Sequence, residues 1–397
     1  MPEFTISNTG PYIMDTKLLN LVKENLDHPD FQVEYERLLT GADKILNKND
    51  FQFVTDKKHI PPSGDIHDYM SIARYLWYNP TTDAFTDTLD GQTNPLIYEY
   101  DRPKLSRISS AIYTLSLAYY FSDQQEYAKK ASELISGWFL DKDTRMNPNL
   151  NYAQVILGVN NSSGNLQGII DTNDFIRIIE GVSLIYGSDY WPADKHKQLK
   201  GWFYLFSKWV TRYNPDFFCS EDSCSNVSTW FDAQKTIYFL FTEQEDRLNS
   251  SSSIQPISDK IARQFSDIGV QTTERTRALS QHYFYFNLRG YMKIALMRKN
   301  RTGYDRDWQE TFKESENYGG IKPSLDALVG YINGENVSVF FDVSENFDDC
   351  RYLEIFKPAS IAFEDDLYNT AANQLLNNGC SNPDFSLPFP NLHWLVN

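Results

Sequence analysis

The sequence is poor in the features that mark several large classes of protein. Its 397 residues hold 37 lysines and arginines against 53 aspartates and glutamates, a net charge of −16. This deficit of basic residues argues against a general nucleic-acid binder, which needs clustered cations to neutralise phosphates. Apolar runs are short, and none reaches the roughly 18 residues that a membrane-spanning helix requires. We therefore expect neither nucleic acid nor a membrane as a partner.

Recognisable catalytic and cofactor-binding signatures are also missing. The sequence has no G-x-S-x-G elbow, no P-loop, no G-x-G-x-x-G and no H-E-x-x-H. Its six histidines are scattered, so a histidine-based metal cluster has little support. We predict no metal and no cofactor.

Cysteine is scarce, and the start of the chain, M-P-E-F-T-I-S-N, lacks the apolar segment of a signal peptide. We expect that start to belong to a mature chain. Cys219 and Cys224 form a close pair, and Cys350 and Cys380 a late one. Neither pair has zinc-finger spacing with matching histidines, so the spacing predicts two disulfides. N-x-S/T sequons occur at Asn160, Asn161, Asn226, Asn249, Asn300 and Asn336. Together these features predict a secreted glycoprotein, with a cytosolic protein carrying free thiols as the alternative.

Helical periodicity dominates what is present. Apolar residues recur at helical spacing in five segments, 104–118, 127–138, 175–185, 199–210 and 229–242. No convincing alternating series indicates strands. Amphipathic helix pairs joined by short polar turns predict an all-α fold, an α/α toroid or incomplete barrel of helix hairpins, in a single large domain over residues 1–397.

Two long non-helical stretches, 141–168 and 333–349, interrupt the hairpins. Long loops inside a compact domain are usually functional or disordered. The first contains N-L-N-Y-A-Q and leads into D-T-N-D at 171–174, whose side chains suit the N-cap of a helix beginning at Phe175. We expect this stretch to be ordered and to line a site.

Aromatic residues are abundant, with 25 Tyr, 26 Phe and 8 Trp. Most are expected in the core, but an excess of Tyr and Trp also suits carbohydrate clefts, where flat sugar faces need flat partners.

Four passages carry a family resemblance. They are H-D-Y-M-S (67–71), N-L-N-Y-A-Q with the following G-I-I-D-T (149–154 and 168–172), N-V-S-T-W-F-D-A-Q (226–234), and R-T-R-A-L with H-Y and N-L (275–288). In this order they resemble the alginate lyase superfamily of polysaccharide lyases. The resemblance implies an α/α toroid that cleaves uronate polysaccharides by β-elimination. The motif-bearing core would cover about residues 65–290, followed by helices and loops over 291–397.

Carried over by position, the resemblance implies a catalytic set. Asn226 matches the family's carboxylate-neutralising asparagine, Arg275 or Arg277 its arginine, and Tyr283 its catalytic tyrosine. Val227 stands where the family usually has a histidine base. Further residues of the four passages are predicted to bind an anionic polysaccharide: His67, Tyr69, Tyr152, Gln154, Trp230, Gln234, His282 and Tyr285, the last also being the fallback for the catalytic tyrosine.

The chemistry explains these residue types. The C5 proton of a uronate is barely acidic until an amide or guanidinium neutralises the adjacent carboxylate and stabilises the developing enediolate. A base then removes that proton and an acid protonates the departing O4. A tyrosine near an arginine can do both, because the cation favours the phenolate.

Several alternatives stay open. Val227 cannot abstract a proton, so the chain is either a lyase that relies on tyrosine or a catalytically inactive carbohydrate-binding relative. A third possibility is an α/α-barrel glycoside hydrolase using Asp65, Asp68 or Glu274, and Asn226 could be simply a glycosylated loop residue. Since one tyrosine reaches only one face of the sugar, the lyase hypothesis predicts (1→4)-linked glucuronan or mannuronate-type alginate as substrate.

Overall fold

Helices account for most of the secondary structure in the computed structural model of this chain, with 57% helix and 6% strand. The structure describes residues 6–7, 9–212, 219–220, 224–250, 253–300, 320–363 and 365–380. The α-helices are α1 (Thr16–Glu24), α2 (Pro29–Leu46), α3 (Asp101–Ser122), α4 (Gln125–Phe139), α5 (Phe175–Ile185), α6 (Ala193–Val210), α7 (Asn226–Phe241), α8 (Ile257–Gln264), α9 (Thr272–Arg275), α10 (Ser280–Lys299), α11 (Lys322–Ile332), α12 (Leu353–Phe363) and α13 (Asp366–Asn377). The predicted all-α class is confirmed.

By its internal contacts the chain divides into two units. Unit 1 comprises Met1–Gly10, Leu38–Tyr213 and Ile237–Glu245, and unit 2 comprises Pro11–Arg37, Asn214–Thr236 and Asp246–Asn397. The expectation of one domain over the whole chain remains a prediction.

In unit 1, α3 packs against α4 and α5. The apolar face predicted for α3 is buried, with Ile108, Ile112 and Leu115 at 1% exposure or less. The helix ends at Ser122, and the left-handed backbone of the capping residue Asp123 (φ 57°) turns the chain into α4. This is a helix hairpin of the predicted kind, made by an aspartate that tolerates the left-handed region.

An aromatic cluster forms much of the unit 1 core. Phe175 of α5 makes edge-to-face contacts with Phe139 of α4 and with Trp202, Phe203 and Phe206 of α6, at centroid distances of 5.3 to 5.7 Å. Such contacts between aromatic rings contribute about 0.5–1.5 kcal/mol each beyond their burial. The cluster therefore joins three of the helices that the sequence predicts.

The described residues contain four short strands, which correct the expectation that strands are absent. They are β1 (Met70–Ile72), β2 (Leu76–Asn79), β3 (Ala84–Thr88) and β4 (Tyr152–Val155). In the parallel pair β1–β4, β1 is buried and β4 alternates between half-buried and buried residues, and β2–β3 is an antiparallel hairpin. Strands of three to five residues are too short to display a clear alternating pattern. Strand β4 gives the stretch 141–168 the ordered structure that the sequence predicts.

In unit 2, α10 is buried over most of its length, and its buried residues include polar ones such as Gln281, Asn287 and Arg298. Helix α10 contacts α9 and α12, and α12 packs against α13. The central helix of this unit therefore carries the predicted catalytic tyrosine.

Both predicted disulfides are confirmed. Cys219 is bonded to Cys224, and Cys350 to Cys380, with Cα–Cα distances of 4.1 and 5.2 Å. Across the described part of the chain, no helix is long and apolar enough to cross a membrane.

Candidate active site

Asn226 begins α7 and is buried, with 2% of its surface exposed. Its backbone N–H donates to Oε1 of Glu274 at 2.7 Å, and its side-chain Nδ2 donates to Oε2 at 2.8 Å. Glu274 is equally buried at 2%. A carboxylate is favoured here because the first N–H groups of a helix lack partners and carry partial positive charge. A buried asparagine that makes two hydrogen bonds is a poor acceptor for a glycan. This weakens the alternative that Asn226 is simply a glycosylated loop residue.

The two residues before Asn226 are also held in place. Thr273 Oγ1 donates to the carbonyl of Cys224 at 3.0 Å, and Gln264 Nε2 donates to the carbonyl of Ser225 at 3.1 Å. The Cys219–Cys224 disulfide closes the preceding loop. The approach to α7 is thus anchored independently of the Asn226 side chain.

A buried amide network ties this region to α10. Asn287 Nδ2 donates to Oε1 of Gln264 at 2.7 Å and to Oε1 of Gln271 at 2.9 Å. Gln271 Nε2 in turn donates to the carbonyl of Phe284 at 3.1 Å. These hydrogen bonds tie the end of α8 and the residue before α9 to α10.

The structure separates the two candidate arginines. Arg275 donates to Asp342 Oδ2 at 2.8 Å and to the carbonyl of Ser338 at 3.0 Å, so the loop after α11 engages it. The guanidinium carbon of Arg277 lies 3.7 Å from the centroid of the Tyr283 ring. Of the two arginines, Arg277 is therefore the one stacked on the predicted catalytic tyrosine.

Tyr283 lies near the start of α10 with 7% of its surface exposed. The ring of His282 meets the Tyr283 ring edge-on at 5.3 Å and lies parallel to the Phe286 ring at 5.9 Å. Val227, in the first turn of α7, is half-buried and aliphatic, so it offers no proton acceptor. Tyr283, Arg277 and His282 form one cluster in unit 2.

Tyr285 has a different environment from Tyr283. It is 2% exposed, and its hydroxyl donates to Glu354 Oε2 at 2.5 Å. Arg289 pairs with the same carboxylate oxygen at 2.5 Å. The predicted substrate contact of Tyr285 is not supported, because its hydroxyl faces a buried ion pair between α10 and α12.

Trp230 and Gln234 are likewise buried, at 2% and 0% exposure. Trp230 Nε1 donates to the carbonyl of Phe286 at 3.1 Å, and its ring stacks on that phenylalanine at 4.9 Å. Gln234 Nε2 donates to the carbonyl of Trp230 at 3.1 Å. The predicted subsite is therefore replaced by packing of α7 against α10.

The remaining predicted binding residues lie in unit 1. His67 is half-buried and its Nδ1 donates to the carbonyl of Arg145 at 2.6 Å. Tyr69 is fully buried and donates to Asp171 Oδ2 at 3.0 Å, and burial next to this carboxylate raises the pKa of its phenol well above 10. Tyr152 is half-buried and lies opposite Met70 in the β1–β4 ladder. Tyr69 is thus a core residue and not a cleft residue, whereas His67 and Tyr152 keep partly exposed surfaces.

Gln154 sits at a bulge in β4. The register of β1–β4 shifts there, and Gln154 has φ 49°, an uncommon left-handed conformation for a residue with a side chain. Its backbone N–H donates to Ser71 Oγ at 2.7 Å and its Nε2 to Asp171 Oδ1 at 2.8 Å. Ser71, Gln154 and Asp171 line a small pocket together with Ile72, Arg74, Ile97 and Arg102. Such bulges commonly re-aim side chains at functional sites.

Comparison with known proteins bears on this arrangement. A model of the alginate lyase family matches residues 53–337, well over half of the chain. The chain belongs to the alginate lyase family. A crystal structure of an alginate lyase from Bacteroides ovatus is 31% identical, with a TM-score of 0.80 over 91% of this chain and 94% of that one. A histidine-to-alanine variant of alginate lyase A1-III complexed with tetrasaccharide is 13% identical, with a TM-score of 0.54 over 90% of this chain and 92% of that one, and shows likeness of fold alone. No curated protein sequence matches.

Family membership confirms the resemblance found in the sequence, and with it the α/α toroid fold class and a polysaccharide lyase activity. The carboxylates of the hydrolase alternative have other partners in this lyase. Asn147 Nδ2 lies 2.9 Å from both Asp65 Oδ2 and Asp68 Oδ1. A backbone hydrogen bond from His67 lowers the pKa of Asp65, the opposite of what a general acid needs.

Some residues of the site escape sequence reasoning. Asp171 and Asp174 are predicted to cap α5, but Asp171 accepts from Tyr69 and Gln154, and Asp174 pairs with Arg102 at 2.7 Å. Glu274 enters the sequence analysis as a hydrolase carboxylate, and its partnership with Asn226 is not foreseen. One sequence signal could have pointed to these residues: a polar side chain at a position where the helical pattern calls for an apolar one. Asn287, in the last of the four passages, shows the same signal.

Proposed function

We propose that this lyase cleaves (1→4)-linked glucuronan or mannuronate-rich alginate by β-elimination, with Tyr283 as both base and acid. The observation that carries the proposal is the guanidinium of Arg277 stacked on the Tyr283 ring at 3.7 Å. A cation at this distance stabilises the phenolate that must act as the base.

The remaining groups supply the electrophilic half of the reaction. The Asn226 amide neutralises the substrate carboxylate, so that charge developing on the enediolate is stabilised. The phenolate of Tyr283 removes the C5 proton, and electrons of the C5–H bond form the C4–C5 double bond. The C4–O4 bond then breaks, and the phenol returns its proton to O4. Tyr283 therefore both removes the C5 proton and supplies the proton that the departing O4 needs.

The stereochemistry follows from Val227. A separate base on the opposite face of the ring is required for anti-elimination, as in guluronate, iduronate or galacturonate. A single tyrosine reaches one face, and glucuronate and mannuronate have C5–H and O4 on the same side. His282, whose ring meets that of Tyr283, is the residue through which anti-elimination could arise.

The proposed substrate and location agree with other properties of the chain. Its two disulfides are compatible with an oxidising, extracellular compartment, where structural uronans occur. Arg277 provides local positive charge within a protein of net charge −16. Such local fields guide polyanions even to acidic proteins.

The test is to incubate the purified protein with glucuronan, polymannuronate, polyguluronate and pectate. Low-ultraviolet absorbance reports the unsaturated uronate end, and a reducing-end assay counts cleavage by any route. We expect absorbance and reducing ends to rise together on glucuronan or polymannuronate. Reducing ends without absorbance would indicate hydrolysis, and binding without either would indicate an inactive relative. Preferred cleavage of polyguluronate would show that another base, such as His282, has replaced the missing histidine.

A further inference from the structure

Glu274 is a buried group of the site to which neither the sequence nor the family match assigns a role in the lyase reaction. Its two carboxylate oxygens accept from the backbone N–H and the side-chain Nδ2 of Asn226, at 2.7 and 2.8 Å. Among the described residues, Glu274 is the hydrogen-bond partner of the Asn226 side chain. Both residues belong to unit 2.

We infer that Glu274 is a positioning residue that fixes which end of the Asn226 amide faces the substrate, an inference that rests on the proposed function. An asparagine side chain can rotate by half a turn and exchange its NH2 and C=O ends. An ionised carboxylate accepts hydrogen bonds but donates none. Glu274 therefore binds the NH2 end and repels the C=O end.

This orientation matters because the proposed role of Asn226 is to donate. The Nδ2 atom carries two hydrogens, and the bond to Glu274 uses one of them. The second hydrogen remains to donate to a uronate carboxylate. In the flipped orientation the amide oxygen would face that carboxylate and repel it, so the electrophilic assistance would be lost.

The backbone before Asn226 is anchored independently of Glu274, although Oε1 of Glu274 also accepts from the Asn226 N–H. The carbonyls of Cys224 and Ser225 are held by Thr273 and Gln264, at 3.0 and 3.1 Å. These bonds remain when Glu274 is changed, so the approach to α7 keeps its path. What changes is the orientation of the Asn226 side chain.

The informative substitution is Glu274→Gln, which keeps the shape but offers both a donor and an acceptor. The one remaining side-chain oxygen can accept from the Asn226 backbone N–H, which leaves an NH2 group facing the Asn226 amide and favours its flipped orientation. We expect kcat on the preferred uronan to fall about 10- to 100-fold, the equivalent of a charged hydrogen bond, with little change in KM. In an Asn226→Ala background the same substitution should have no further effect, since Glu274 acts through Asn226.

The matched control is Asp267→Asn, which removes one carboxylate charge from an exposed turn of the same unit. Its kcat should equal that of the wild type, and thermal unfolding of every variant checks folding. Wild-type kcat in Glu274→Gln, or a loss that adds to that of Asn226→Ala, would overturn the inference. Full activity in Asn226→Ala would overturn it as well.

A second readout does not depend on activity. With ¹⁵N-labelled asparagine, the side-chain amide signal that disappears in Asn226→Ala identifies Asn226. We expect its hydrogens to exchange slowly with solvent in the wild type and at least about tenfold faster in Glu274→Gln. If the wild type cleaves no uronan, the proposed function fails, and the hydrogen exchange of the Asn226 amide alone tests the positioning role. An exchange rate in Glu274→Gln equal to that of the wild type would refute that role.

Discussion

Two tyrosines on α10, two positions apart, should respond in opposite ways to the loss of a hydroxyl. In Tyr283→Phe the aromatic ring remains, so the contact with Arg277 at 3.7 Å and with His282 at 5.3 Å is preserved. Stability should change by about 1 kcal/mol or less, the usual contribution of one hydroxyl. The variant loses the group that carries the proton in both directions. We expect kcat to fall about 10²- to 10⁴-fold, or roughly 3–5 kcal/mol of barrier.

Tyr285→Phe is the matched comparison. The hydroxyl of Tyr285 is buried and donates to Glu354 at 2.5 Å. Hydrogen bonds to a charged partner contribute about 1.5–3 kcal/mol, so this variant should unfold more easily. Its turnover at temperatures where it is folded should stay within about threefold of the wild type, because no proton passes through Glu354.

The assay measures initial rates of low-ultraviolet absorbance on the preferred uronan over a range of concentrations, alongside thermal unfolding of both variants. We expect a crossed result: lost turnover with retained stability for Tyr283→Phe, and the reverse for Tyr285→Phe. If Tyr283→Phe kept more than about a tenth of the wild-type kcat, the tyrosine could not be the proton carrier. If Tyr285→Phe lost turnover to the same extent while folded, the catalytic role would move to Tyr285.

Burial lowers the pKa of Lys357 from 10.5 to about 8. Between pH 8 and 10.5 the unfolded chain binds more protons than the folded one, so the free energy of unfolding should rise with pH over this range. Denaturant unfolding at several pH values should show that Lys357→Met abolishes this rise and adds up to roughly 3 kcal/mol to the free energy of unfolding at pH 7. Glycopeptide mapping of protein secreted by a eukaryotic host should find Asn226 unmodified, since it is buried, while the exposed Asn336 is accessible; full occupancy of Asn226 in active protein would rule out its catalytic role. Replacing Cys350 and Cys380 with serine should lower the free energy of unfolding by about 3–4 kcal/mol, given the 30-residue separation; unchanged stability would contradict this.

Much of the secondary structure is predictable because helical periodicity is a local property. The apolar spacing over 104–118 and 229–242 predicts helices that the structure contains, with the predicted faces buried. Both disulfide pairings follow from spacing, because four cysteines in two separated pairs leave a short local closure as the simplest choice. The short strands β1 and β4 are not predictable in this way, since each pairs with a segment about 80 residues distant.

Periodicity and the order of four passages are enough to predict the fold class, the family and the residue types of the site. Which of several similar residues meet follows from how the chain folds. Arg277 and not Arg275 lies on Tyr283, and Tyr285 faces Glu354. Asn226 meets a carboxylate 48 residues away. Contacts between particular side chains depend on partners that are distant in the chain, and a local pattern does not say which residue of another segment will meet a given side chain.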